Sequence, residues 1–116
     1  MNEHMKSETR KALLSAYQER KIIGGVFAIR NTNHGKRLLD STGDMNGSHN
    51  RFDFMKRTGA CYHPKLRVEW SDNPPFVFEI LEELEKGETQ TDSEFKEDLK
   101  TLRELWLDKL RDEQFY

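Results

Sequence analysis

Two short apolar runs joined by a turn, with a polar helix close behind, constrain this chain more than any other feature. Val26 to Arg30 is β-rich and short. Asn31 to Gly35 collects turn formers, and Gly35 can take a positive φ without steric cost. Lys36 to Thr42 returns as a second strand. The pair reads as a β-hairpin. The Gly24-Gly25 dipeptide before it ends an earlier unit, a helix over Ser7 to Arg20 with Ala12, Leu13, Ala16 and Tyr17 on one face.

After the hairpin, Asp44 or Ser48 can start a helix that runs toward Arg57. Gly47 in its first turn costs about 1 kcal/mol relative to alanine. Thr58-Gly59 ends it. Pro64 suits the first turn of a short helix to Trp70. Asn73-Pro74-Pro75 is a rigid turn, and Phe76 to Leu84 is a third strand. Phe76, Phe78 and Ile80 alternate there with Val77, Glu79 and Leu81. Both sets are partly apolar, which suits a central strand covered on both faces. Thr91-Asp92-Ser93-Glu94 is a capping box. It opens the longest helix, to about Arg111, with Phe95, Leu99, Leu102, Trp106 and Leu110 as its core stripe. The expected fold is α+β, a small three-stranded antiparallel sheet flanked by helices.

At 116 residues the chain fits one small domain over 1–116, with a core at about 24–111 and the N-terminal helix at 7–20. No apolar run approaches the roughly 18 residues that span a bilayer. Met1 to Arg20 lacks the apolar stretch of a secretory signal. With the single cysteine Cys61, the simplest setting is cytoplasmic, away from membranes. Net charge is only −2, yet Lys6 to Arg67 carries 13 basic against 5 acidic residues. Glu79 to Glu113 carries 6 basic against 13 acidic residues. Such asymmetry marks either a face for a polyanion or two halves that neutralise each other.

The order of these elements resembles the GIY-YIG nuclease family. Gly25-Val26-Phe27 looks like the family's first tripeptide, and Leu38-Leu39-Asp40 sits where the second belongs. Ser41-Thr42 resembles the small polar pair after it. Asn50-Arg51-Phe52 resembles the arginine-aromatic pair on the first catalytic helix. Phe76 to Glu83 resembles the third strand, and Leu105 to Leu110 the last core helix. The nearest subgroup is a compact bacterial one, some of whose members carry LuxR-like or ArsR-like regulator labels. No helix-turn-helix is evident in this chain.

The resemblance implies metal-dependent phosphodiester hydrolysis, with a tyrosine to activate water, an arginine on the phosphate and a glutamate on the metal. A phenol near a metal can give up its proton. A guanidinium grips two phosphate oxygens at once. A carboxylate is a hard oxygen ligand suited to magnesium. Carried over by position, Arg51 matches the arginine. Phe27 and Leu38 stand at the two tyrosine positions and cannot move a proton; plain core is the other reading of both. Asp40 replaces a glycine. Arg103 stands at the position of the metal glutamate, and Glu104, one residue on, is a weak metal candidate that helix geometry turns toward solvent. His63 lies near a family histidine and is a weak catalytic candidate. Cys61, His63, His49 and Asp53 lack zinc-ligand spacing.

Lys36, Arg37, His49, Lys56, Arg57, Lys65 and Arg67 lie on the hairpin, the first catalytic-type helix and the segment after it. With Arg51 they are expected to border one face that follows a phosphate backbone, with Phe54 or Tyr62 near enough to stack on a base. The expectation is a nuclease-like domain that binds nucleic acid, with DNA favoured over RNA, and whose cleavage is reduced or lost. An active endonuclease using Mg2+ is the alternative within that class. A regulatory protein-interaction module, using the acidic helix Glu94 to Glu113, is the alternative outside it.

Overall fold

The computed structural model describes residues 21–71 and 74–116. The helix expected over Ser7 to Arg20 lies outside them. Three strands, β1 (Ile23–Asn31), β2 (Arg37–Thr42) and β3 (Phe76–Glu85), form one antiparallel sheet in the order β2-β1-β3. Among the described residues three helices, α1 (Met45–Thr58), α2 (Pro64–Arg67) and α3 (Asp92–Lys109), accompany the sheet. Among the described residues no helix is long and apolar enough to cross a membrane.

The hairpin forms where its turn chemistry puts it. Gly35 takes φ +80°, its N–H donates to the Asn31 carbonyl, and Asn31 donates in turn to the Lys36 carbonyl. The Gly24-Gly25 pair does not end a unit, as the sequence suggested, but lies inside β1. A Cβ on Gly24 would meet the Thr42 carbonyl, and one on Gly25 would meet the Glu82 carbonyl. Gly25 also has φ +146°, which side chains rarely adopt. Both neighbouring strands therefore approach β1 closely, and a register shift between Val26 and Phe27 on the β3 side follows directly after.

β3 is an edge strand, not the central one that its apolar pattern suggested. β1 takes the centre, and nearly all of its residues are buried. The acidic residues of β3 need the edge: Glu82, Glu83 and Glu85 are exposed there. Strand alternation then divides the sheet into two faces. Phe27, Ile29, Leu38, Phe76 and Phe78 point toward α1 and join Met45, Phe52, Met55 and Leu66 in the main cluster. On the other face α3 packs with buried Phe95 and Leu99.

Helix ends are fixed by side chains on the sequence. Asp44, not Ser48, caps α1 by accepting from the Gly47 N–H at 3.0 Å. Gly59 ends it at φ +75°, returning its N–H to the Met55 carbonyl. The expected short helix stops at Arg67 and gives way to a turn before Trp70. The Thr91/Glu94 capping box is complete and starts α3. Trp106 on α3 donates to Glu82 of β3 at 2.9 Å, so the far end of the helix is also tied to the sheet.

Beyond α3 the chain returns to the other sheet edge. Arg37 donates to the Gln114 carbonyl, Tyr116 donates to the Arg37 carbonyl, and Phe115 pairs with Arg37 in parallel. The Tyr116 hydroxyl donates to Glu69 at 2.6 Å, and Asn31 and His34 donate to the same carboxylate oxygen at 2.8 and 3.0 Å. These bonds, Tyr116 first, hold the Glu69 carboxyl below its usual range. Burial and the acceptor Glu69 push the Tyr116 hydroxyl up to about 12.

Candidate functional site

Two turns of α1 carry most of the site. Ser48, Arg51, Phe52 and Met55 follow at helical spacing and share one face. The Ser48 hydroxyl donates to Thr42 Oγ1 at 2.7 Å, which pins the first turn of α1 to the end of β2. Phe52 and Met55 enter the core, and Arg51 beside them stays exposed. A cavity of about 170 Å³ opens at this place. The sheet lines it with Phe27, Ile29, Leu38 and Asp40, the helix with Ser48 and Arg51, and the loop before α2 with Tyr62 and His63. The aligned positions Phe27, Leu38, Arg51 and His63, which are far apart in sequence, thus meet at one cavity.

Phe27 and Leu38 serve the core at the same time. Phe27 is stacked on Phe78 with ring centroids 4.8 Å apart, and Leu38 is buried. Neither offers an ionisable group. The phenol that lines the cavity is Tyr62, 60% exposed at its mouth, its backbone N–H held by the Met55 sulfur. His63 caps α2: its Nδ1 accepts from the Lys65 N–H at 3.2 Å. The neutral ring then carries its hydrogen on Nε2.

A second cavity, about 180 Å³, adjoins the first and shares Leu38, Asp40 and His63 with it. Arg103 reaches it from α3 and Lys65 from α2. Arg103 Nε stands 3.9 Å from Asp40 Oδ1. The two positions that depart from the resembled pattern in charge therefore face each other. Glu104 is exposed and lines neither cavity. No group of three or more His, Cys, Asp or Glu side chains converges among the described residues. Asp40 is the carboxylate that lines these cavities, and a guanidinium opposes it. This donor set does not fit a magnesium ion, which wants several hard oxygen ligands.

The broad basic face expected from sequence is narrower in the structure. Arg37 lies on the opposite sheet face and pairs with Glu79 at 3.2 Å and Glu113 at 3.5 Å. Lys36 sits over the Tyr116 ring, and Lys56 donates to the Phe76 carbonyl at 3.0 Å. His49 stacks on Phe78 and pairs with Asp53 at 3.7 Å. Arg57 lies against the exposed Phe54 ring, and Arg67 is exposed at the end of α2. Arg51, Lys65 and Arg103 are the cations at the two cavities. The opposed substitutions at Asp40 and Arg103 were the sequence signal that could have paired them.

This arrangement of sheet, hairpin and helices matches a solved structure of the catalytic domain of the intron endonuclease I-TevI, in a mutant form. The TM-score is 0.56 at 21% identity, over 78% of this chain and 86% of that one. The chain has a GIY-YIG nuclease-like fold. A second structure, of the catalytic domain of the homing endonuclease I-TevI, aligns at a TM-score of 0.49 and 20% identity, over 76% of this chain and 88% of that one. No protein-family model matches the chain, and no curated protein matches it significantly. In the GIY-YIG-like frame, the hairpin and α1 hold the first cavity, and α3 brings Arg103 to its neighbour.

Proposed function

We propose that this chain is a nuclease-like domain that holds nucleic acid by its phosphates at the Arg51 cavity, with cleavage reduced or lost. One observation carries the reading: Arg51 shares a cavity with Phe27 and Leu38, so a guanidinium stands beside two apolar side chains at the positions where the resemblance expects tyrosines. An exposed guanidinium beside an apolar floor can grip phosphate oxygens in a fork. DNA is the preferred partner. The chain acts as one domain, and binding rests on charge more than on base contacts, so it weakens steeply with salt.

Tyr62 favours a second reading, an active endonuclease. Its phenol lines the same cavity, and a metal held nearby would let it give up its own proton and then take one from water. Asp40 alone is a poor holder of that metal while Arg103 opposes it.

A plasmid-nicking assay with Mg2+ and with Mn2+ separates the two. The first reading expects no nicking above background but salt-sensitive binding that weakens in Arg51→Ala. Metal-dependent nicking abolished by Arg51→Ala or Tyr62→Phe overturns it. Failure to bind DNA or RNA even at low salt turns the reading toward a protein partner on the acidic face of α3.

A further inference from the structure

The second cavity lies where the resemblance expects a metal glutamate, yet its groups have the opposite character. Arg103 and Lys65 arrive from two helices as basic side chains, and Asp40 from β2 offsets one of them. The Arg103–Asp40 separation of 3.9 Å is beyond hydrogen-bond reach. The pair therefore orients the guanidinium without consuming its N–H donors. His63 strengthens the same bias. Its Nδ1 is occupied by the Lys65 N–H, so the neutral ring presents a donor on Nε2 and no free lone pair for a metal. The space, about 180 Å³, exceeds several water volumes of roughly 30 Å³ each. Donors and cations around such a space select an oxyanion and repel a divalent cation.

We propose that this second cavity is a phosphate site that works without a metal, with Arg103 and Lys65 carrying the charge and His63 Nε2 donating. It shares Leu38, Asp40 and His63 with the Arg51 cavity, so one nucleic-acid strand can set neighbouring phosphates in both. That extension to a strand rests on the nucleic-acid reading above; the binding of phosphate itself does not. Asp40 is the opposing carboxylate and limits the site to modest affinity.

The test uses the isotope-labelled full chain with a metal chelator present. Inorganic phosphate is titrated at constant ionic strength while the Arg103 Nε–H and the His63 ring resonances are followed. A saturable shift at both is expected. Arg103→Gln should weaken phosphate binding about tenfold, and Lys65→Gln in the same direction, while Lys96→Gln, at an exposed position of α3 that lines neither cavity, stays within about twofold. The Arg103 side chain is 41% exposed, so its variant should remain folded, which the amide spectrum checks. No saturable shift up to about 50 mM phosphate overturns the proposal. So does an equal response to chloride, or an unchanged affinity in Arg103→Gln. Oligonucleotides with and without a 5′-phosphate form the second arm. Loss on Arg103→Gln with both supports a backbone phosphate in the cavity; loss confined to the phosphorylated strand supports a terminal one. Inorganic phosphate bound at Arg103 with no oligonucleotide bound overturns the nucleic-acid reading and leaves this site standing.

Discussion

The Arg103 guanidinium on α3 stands 3.9 Å from the Asp40 carboxylate on β2, across the mouth of the second cavity. The pair is half-exposed and screened, so its net stabilisation is small. In the proposed phosphate site its larger effect is on ligand choice. It makes the Asp40 carboxylate a partner for the Arg103 guanidinium.

Reversing that charge should change what the cavity accepts. Arg103→Glu places a second carboxylate opposite Asp40, and two hard oxygen ligands can hold Mn2+ weakly, on the order of 1 mM. Electron paramagnetic resonance of free Mn2+ reads this directly. Wild type should leave the signal unchanged and Arg103→Glu should reduce it. Adding Phe27→Tyr supplies a phenol at the neighbouring cavity, and the double variant should nick plasmid DNA above the wild-type level. Equal Mn2+ binding by wild type and variant would show that Arg103 does not govern the cavity.

Arg51→Ala should weaken oligonucleotide binding and lower the salt slope by about one. Arg51 is exposed, so thermal stability should stay within about 0.5 kcal/mol. Fluorescence anisotropy across a salt series measures both the affinity and the slope. Arg37→Ala is the contrast, because its guanidinium is spent on Glu79 and Glu113 on the other sheet face. It should leave the slope unchanged.

Stability should depend on pH through the Glu69–Tyr116 contact. Glu69 has a lowered pKa in the folded chain, so its contribution is present above the unfolded value of 4.5 and is lost as pH falls through the lower folded value. Tyr116 is raised to about 12, so its contribution is present below the unfolded value of 10.0 and is lost as pH rises through about 12. Thermal melts followed by circular dichroism should show an acid limb that flattens in Glu69→Gln. The alkaline limb should flatten in Tyr116→Phe. An unaltered acid limb in Glu69→Gln would place the acid sensitivity elsewhere.

Gly25→Ala should destabilise by about 2–4 kcal/mol, because φ +146° and the Glu82 carbonyl both reject a Cβ. Chemical denaturation measures it. Gly43→Ala is a useful control, since a Cβ there meets nothing.

Local chemistry was legible in the sequence; long-range pairing was less so. The Asn31–Gly35 turn and the Thr91/Glu94 box act within a few residues and formed as read, and of the two caps the sequence offered, Asp44 is the one used. The place of β3 did not follow, because Phe76, Phe78, Val77 and Leu81 suit a central strand as well as an edge. Gly24 and Gly25 looked like a terminator because the carbonyls they admit belong to Thr42 and Glu82 on other strands. The site divided in the same way. The resemblance pointed to Arg51, Phe27, Leu38, His63 and Arg103 one at a time. It did not reveal that Lys56 bonds the Phe76 carbonyl and Arg37 pairs with Glu79, or that Arg103 answers Asp40. Such pairings depend on three-dimensional neighbours, and charge along a chain does not encode them.

The antiparallel pairing of β1 with β3 also sets an order of assembly. The β1–β2 hairpin closes a short turn and is kinetically cheap, whereas joining Ile29 to Phe78 closes a long loop. Arg51 and His63 both lie inside that loop, and Arg103 lies outside it. The two cavities thus draw on residues from both sides of that closure, and a nascent chain should present the hairpin well before Arg103 can reach Asp40.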